Sequence, residues 1–184
     1  MLVISCHADT GFRSHRLRRL PGGVFEGHLD NFVGVHAVME AYFSGRLDFD
    51  HVRIELTYGE ERGMAGACEV LPTLRPRDVV LVIDVTGTAT RKTFVVEKCR
   101  DERLRTFLRR CLRGMSYDLY EGCLDPISTY DETEVYSLRS RHVCFIGLPC
   151  WGGNYNRDVV QCRQRSVRAV ANAICRIAEA FPSF

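Results

Sequence analysis

The sequence predicts an α/β domain, a three-layer α/β/α sandwich built on a mostly parallel, mixed central sheet. Three observations carry this. Short extended runs alternate with amphipathic helical stretches from one end to the other. Residues 78–85 form a near-continuous apolar strand, the pattern of a sheet centre covered on both faces. The 184 residues are 46% hydrophobic and 26% charged, enough for one well-packed core and short for two. With no linker, internal repeat or low-complexity tract, 1–184 is read as a single domain.

Residues 1–6 form the first buried strand, which ends in His7, Ala8 and Asp9. On an extended segment His7 and Asp9 share a face. The pair suits a metal ligand with its orienting carboxylate, or a loop histidine salt-linked to an aspartate. Arg13, Arg16, Arg18 and Arg19 make a basic cluster that fits a solvated loop or an edge element, or else a contact to an anion or to an acidic group on the substrate, and 21–23 are a turn. A helix then runs to about Phe43, packed through Val33, Ala37 and Ala41. Asp30 stands where an N-cap would, and is alternatively a carboxylate shared between two metal ions about 3.5 Å apart.

His51 to Tyr58 alternates as a strand, with Val52, Ile54 and Leu56 on one face. Glu60 and Glu61 follow at its end, before a run of small residues (63–67) that lets a helix approach the strand closely. Adjacent carboxylates at a strand end are costly unless cations or protons compensate them. Glu60 and Glu61 are therefore a base-plus-ligand pair at a metal centre, or a solvated pair favoured by the helix dipole. Asp84 closes the central strand at its carboxyl end, where open α/β sheets place their sites; its other role is a cap.

Residues 93–97 predict an outer strand. Residues 101–113 predict a helix with a stripe of Leu104, Phe107, Leu108, Cys111 and Leu112. A short strand is expected at 119–124, and a short helix around 133–136 capped by Thr129 or Asp131. His142 to Leu148 is a strand ending at Pro149, followed by a glycine-rich loop through Asn156. The last helix is expected from Asp158 to Phe181, with Val160, Val167 and Val170 on its buried side.

The formal net charge of +2 is too mild to imply nucleic acid, and no aromatic residues interleave the basic cluster. Nucleic acid binding through these arginines and those of the last helix is thus disfavoured. No apolar run spans a bilayer; the strongest, 79–85, is interrupted by Asp84. The first residues carry no basic leader. The nine cysteines include no C-x-x-C pair, and several fall in apolar patterns. Buried reduced thiols, and with them a cytoplasmic location, are expected.

His7, Asp30, Glu60 with Glu61, and Asp84 all fall at strand ends or just beyond. A histidine with several carboxylates suits zinc, cobalt or manganese, and a glutamate left off the metal can take a proton from an activated water. At this point the sequence resembles the zinc-dependent exopeptidases of the di-metal aminopeptidase type, most of all the glutamyl/deblocking branch. Six pieces match in order: 7–10, 29–34, 60–67, 83–86, 128–132 and 146–149. The resemblance implies a phosphorylase/hydrolase-like architecture. It implies His7 and Asp84 as ligands of the first metal, Asp9 as the residue orienting His7, and Asp30 as the bridge, joined to Asn31 by an often cis peptide. Glu60 would be the general base and Glu61 a ligand of the second metal. The implied substrate is a peptide N-terminus or small amide.

The chain departs from that family at one ligand. The family's last histidine corresponds to Asn154, a poor replacement for imidazole at zinc. One zinc held firmly by His7, Asp30 and Asp84 is therefore expected, with Co2+ or Mn2+ as substitutes and a weakened second site. The alternative is a catalytically impaired relative that binds metal or peptide termini, or scaffolds a partner. The span from Asp30 to Glu60 is too short for the inserted lid or dimerisation domain of some members. A sheet edge is left exposed or for a partner subunit to cover, as in a homo-oligomer.

Overall fold

A computed structural model describes residues 1–184. Four parallel strands form the heart of the sheet: β1 (Leu2–His7), β4 (Val52–Thr57), β5 (Val79–Thr86) and β8 (His142–Trp151). Three others extend it antiparallel beyond β8: β9 (Val160–Arg163), β3 (Val24–Gly27) and β2 (Leu17–Leu20). The order is β2-β3-β9-β8-β5-β1-β4. Two short strands branch from β8: β6 (Phe94–Glu97), antiparallel to it, and β7 (Tyr117–Leu119), parallel to β6.

Side-chain alternation divides the two faces. Leu2, Ile4 and Cys6 of β1, with Leu81 and Ile83 of β5, meet one helical layer. That layer comprises α1 (Phe32–Phe43), α3 (Glu102–Cys111) and α5 (Gln164–Ala180). The opposite face presents Val3, Val80, Val82 and Phe145 to α2 (Ala65–Val70) and α4 (Glu132–Tyr136). The predicted three-layer sandwich is therefore present. By the same alternation, His7 and Asp84 lie on the α2/α4 face at the carboxyl ends of their strands.

Several boundaries differ from expectation, each for a local reason. Residues 160–163 are strand rather than helix, because Val160 and Cys162 pair with β3 and bury on its inner side. β8 continues past Pro149 to Trp151; Pro149 falls between the register of β6, which ends at Gly147, and that of β9, which begins at Cys150. The strand expected at 119–124 ends at Leu119. Helix α1 is capped by Asn31, whose Oδ1 accepts the Gly34 N–H at 3.1 Å, and not by Asp30. Helix α4 is capped by Asp131. Arg18 and Arg19 of the basic cluster lie on the edge strand β2, where Arg18 pairs with Glu26 and Arg19 donates to Gln164. Charged residues on an edge oppose strand addition.

The segment carrying Glu60 and Glu61 is tightly constrained. Glu60–Arg62 form a single 3-10 turn, and Gly63 follows at φ +118°. Gly66 then lets α2 touch the end of β4, where its N–H donates to the Tyr58 carbonyl at 2.8 Å. A Cβ on Gly66 would lie 2.6 Å from the Tyr58 backbone nitrogen. Gly66→Ala is thus expected to destabilise the protein by about 1–3 kcal/mol, the cost of overpacking, although Ala is the better helix former. Denaturant unfolding of the two proteins checks this.

Candidate metal centre

The structure gathers five of the expected residues at one point. His7 Nε2 lies 3.2 Å from Asp30 Oδ1 and 3.3 Å from Asp84 Oδ2. One donor atom from each of these three buried residues falls within 4.8 Å of the others, and the same holds for His7, Glu60 and Glu61. Asp9 faces the other ring nitrogen, its Oδ1 3.5 Å from His7 Nδ1. The Asp30–Asn31 peptide is cis, as the resemblance implies. Asn31 Nδ2 donates to the Ile83 carbonyl at 2.9 Å, fixing the start of α1 against β5 one residue before Asp84.

Asn154 is placed differently. It is not among the residues lining the cleft beside the cluster, whereas Tyr155 and Asn156 are. Its Oδ1 accepts the Asn156 N–H at 2.9 Å, and its own N–H donates to Asp158 Oδ2 at 2.8 Å. His142, at the amino end of β8, is paired with Asp101 at 3.1 Å and lies away from the centre.

The cluster fits a cation better than it fits its own members. Both His7 ring nitrogens and Asp30 Oδ1 are buried without a hydrogen-bond partner. Such orphans are costly, and a divalent ion satisfies nitrogen and oxygen donors together. Without an ion, protons crowd the site. Burial disfavours the His7 imidazolium, but Asp84 and Asp30 outweigh it and hold the ring up to about 12. Burial and the nearby Asp84 push Glu60 up to about 8. Burial carries Asp84 to about 7 against the pull of His7. Glu61 is raised by burial and by Asp30.

Residues to which the sequence analysis gave no role at the centre complete the surroundings. Glu132, 1% exposed, accepts hydrogen bonds from Ser5 Oγ at 2.7 Å and Thr57 Oγ1 at 2.5 Å. It thereby ties β1 two residues before His7 to β4 three residues before Glu60. Glu97 and Asp125 line the cleft, and Tyr155 donates to Asp125 Oδ2 at 2.7 Å. Glu97 lay in a plain strand pattern and Asp125 in a loop, so neither carried a local signal. All nine cysteines are free thiols, seven of them buried. No helix is long and apolar enough to cross a membrane.

No protein-family model matches the sequence, and no curated protein matches it. Solved structures do share the fold. PhTET1-12s, described as a dodecamer, superimposes with a TM-score of 0.72 at 17% identity, covering 90% of this chain and 53% of that one. Aminopeptidase APDkam598 from the archaeon Desulfurococcus kamchatkensis gives 0.72 at 17% identity, over 90% and 52%. An M18-family aminopeptidase from Thermotoga maritima gives 0.67 at 13% identity, over 90% and 48%. The chain spans about half the length of these structures. At such identities the likeness establishes the α/β fold.

The proton crowding sets a pH dependence. Asp84, Glu60 and His7 each bind protons more tightly folded than unfolded, their unfolded values being near 3.8, 4.5 and 6.5. Each therefore contributes stability at low pH that is lost as pH rises through its folded value. In chelator, the thermal midpoint is expected to fall between about pH 6 and 8. Added zinc should oppose the fall, since an ion takes the place of the protons. A midpoint that climbs over this window in chelator would refute the assignment.

Proposed function

We propose that the protein is a metal-dependent hydrolase of the aminopeptidase or amidase kind, acting on a peptide N-terminus or a small amide. The single observation that carries this is the buried His7–Asp30–Asp84 triad, with its unpartnered Nε2 and Oδ1, beside Glu60 at the rim of an open cleft. The aminopeptidase fold of the structural neighbours supports the same reading.

His7, Asp30 and Asp84 would hold zinc. Asp30 with Glu61 would offer a second, weaker position, since the Asn154 side-chain oxygen is engaged by Asn156. Bound there, a divalent ion supplies positive charge that polarises a carbonyl and makes water nucleophilic near neutral pH. Glu60 takes the proton of the attacking water and returns it to the departing amine, so that one carboxyl serves as base and then as acid. Its partly buried position suits that exchange, because burial makes a carboxylate a stronger base than it is in water. Asp9 orients the His7 ring from its far nitrogen.

Glu60→Gln is expected to lower hydrolysis of an aminoacyl amide by about 10²–10⁴-fold while bound zinc, measured by elemental analysis, stays at the wild-type level. Asp84→Asn should instead deplete the metal itself. A purified protein that takes up no divalent ion, with hydrolysis indifferent to Glu60→Gln, would sink the reading.

A further inference from the structure

Cys150 of β8 and Cys162 of β9 stand directly opposite one another in the antiparallel register, beside the pair Trp151 and Gln161. Opposed residues of such a pair point to the same face, with Cα atoms about 4.5 or 5.5 Å apart. Both values lie within the range of about 4.4–6.8 Å that a disulfide spans. Neither thiol is a donor of the metal centre, and both are buried, Cys150 9% exposed and Cys162 fully enclosed. The neighbouring Cys162 thiol, and then burial, raise the Cys150 thiol well above its ordinary value. A neutral, buried thiol is a slow nucleophile, so the pair reacts only with an excess of oxidant.

The position of the pair gives its joining a consequence. The β8–β9 register holds two residue pairs, a short ladder at the base of the connection between the strands. That connection carries Tyr155 and Asn156, which line the cleft, and Tyr155 is held there by its hydrogen bond to Asp125. Cys162 also stands opposite Phe25 of β3, the strand that ends three residues before Asp30. A covalent bond between Cys150 and Cys162 would staple the antiparallel extension to the parallel sheet and close a ring around the cleft-lining segment. Cys99 and Cys144 also raise one another, but Cys99 follows the last β6–β8 pair, Glu97 with Phe145, and no register opposes it to Cys144.

We propose that Cys150 and Cys162 form a redox site, in which a peroxide joins them in a disulfide that closes the 150–162 ring and fixes the base of the cleft-lining segment. Cys150, the less enclosed of the two, attacks one peroxide oxygen as the thiolate. The O–O bond breaks, water leaves and a sulfenic acid remains. The Cys162 sulfur then attacks the sulfenic sulfur, the S–S bond forms and the hydroxyl departs as a second water. Two thiols lose two electrons and two protons, and one peroxide becomes two waters. The site is separate from the hydrolase reading and stands whether or not the centre is catalytic.

The full-length protein carrying Cys68→Ala, which removes the exposed thiol, is treated with hydrogen peroxide, blocked with N-ethylmaleimide and digested with trypsin. Peptide 142–157 is expected joined to peptide 158–163 in a species that dithiothreitol reverses, with fragmentation placing the link at Cys150 and not at Cys144. The thermal midpoint should rise by roughly 5–10 °C on oxidation, the effect of closing a ring of this size in a protein of this length. Cys162→Ala should abolish both the linked species and the rise. A link between Cys99 and Cys144 in its place, oxidation of Cys150 to a sulfinic acid without a link, or no linked species in the folded protein overturns the proposal. So does a linked form whose midpoint does not rise. The peptide map is made with Cys150 and Cys162 both in place, so it decides the matter even where Cys162→Ala fails to fold.

Discussion

The structure depends on one electrostatic constraint: four carboxylates converge on a single buried imidazole. Taking several anions out of water costs far more than one neutral ring can return, so the arrangement persists only with protons or cations in it. His7, Asp30 and Asp84 cannot relax apart, because two of them stand on adjacent parallel strands and the third follows directly from the loop before α1. The fold thus maintains a permanent demand for positive charge at one spot. That demand distinguishes the cluster from a chance group of acidic residues on a surface, where each carboxylate would turn to solvent.

The scaffold meets the demand with ordinary packing devices. Alternation along β1 and β5 sends apolar side chains into both layers until the last turn of the pleat, where the same parity delivers His7 and Asp84. Asn31 takes over the capping of α1 and anchors it to Ile83, which leaves the Asp30 carboxylate free of helix duties. The close approach at Gly66 fixes the turn carrying Glu60 against the end of β4. Each device is local, yet together they set the relative positions of groups drawn from widely separated parts of the chain.

The central strands and the residues at their ends were legible because burial on both faces leaves a continuous apolar run and a polar residue marks its end. Asp84 after Ile83 and His7 after Cys6 are of this kind. The antiparallel extension was not legible. Val160 and Cys162 suit one face of a helix as well as one side of a strand, and only the pairing with Phe25 and its neighbours decides between them. Asp30 stands at a cap-like position as well as suiting a shared metal carboxylate, and sequence alone does not separate the two; the hydrogen bond of Asn31, one residue on, takes the cap. Asn154 was placed by correspondence along the chain, but a turn closed by its own side chain engages it with Asn156. The acidic wall of Glu97 and Asp125 comes from a strand and a loop that meet only in three dimensions, so no window of sequence could contain it.

Glu132 gives the centre a mechanical property as well. Its carboxyl group is held by hydroxyls on β1 and β4, while its own helix begins directly after Asp131, a member of the cleft wall. Wall and floor are thereby bolted to one another through a single buried group. The placement of the cleft wall is thus coupled through one carboxyl group to the strand ends that present His7 and Glu60.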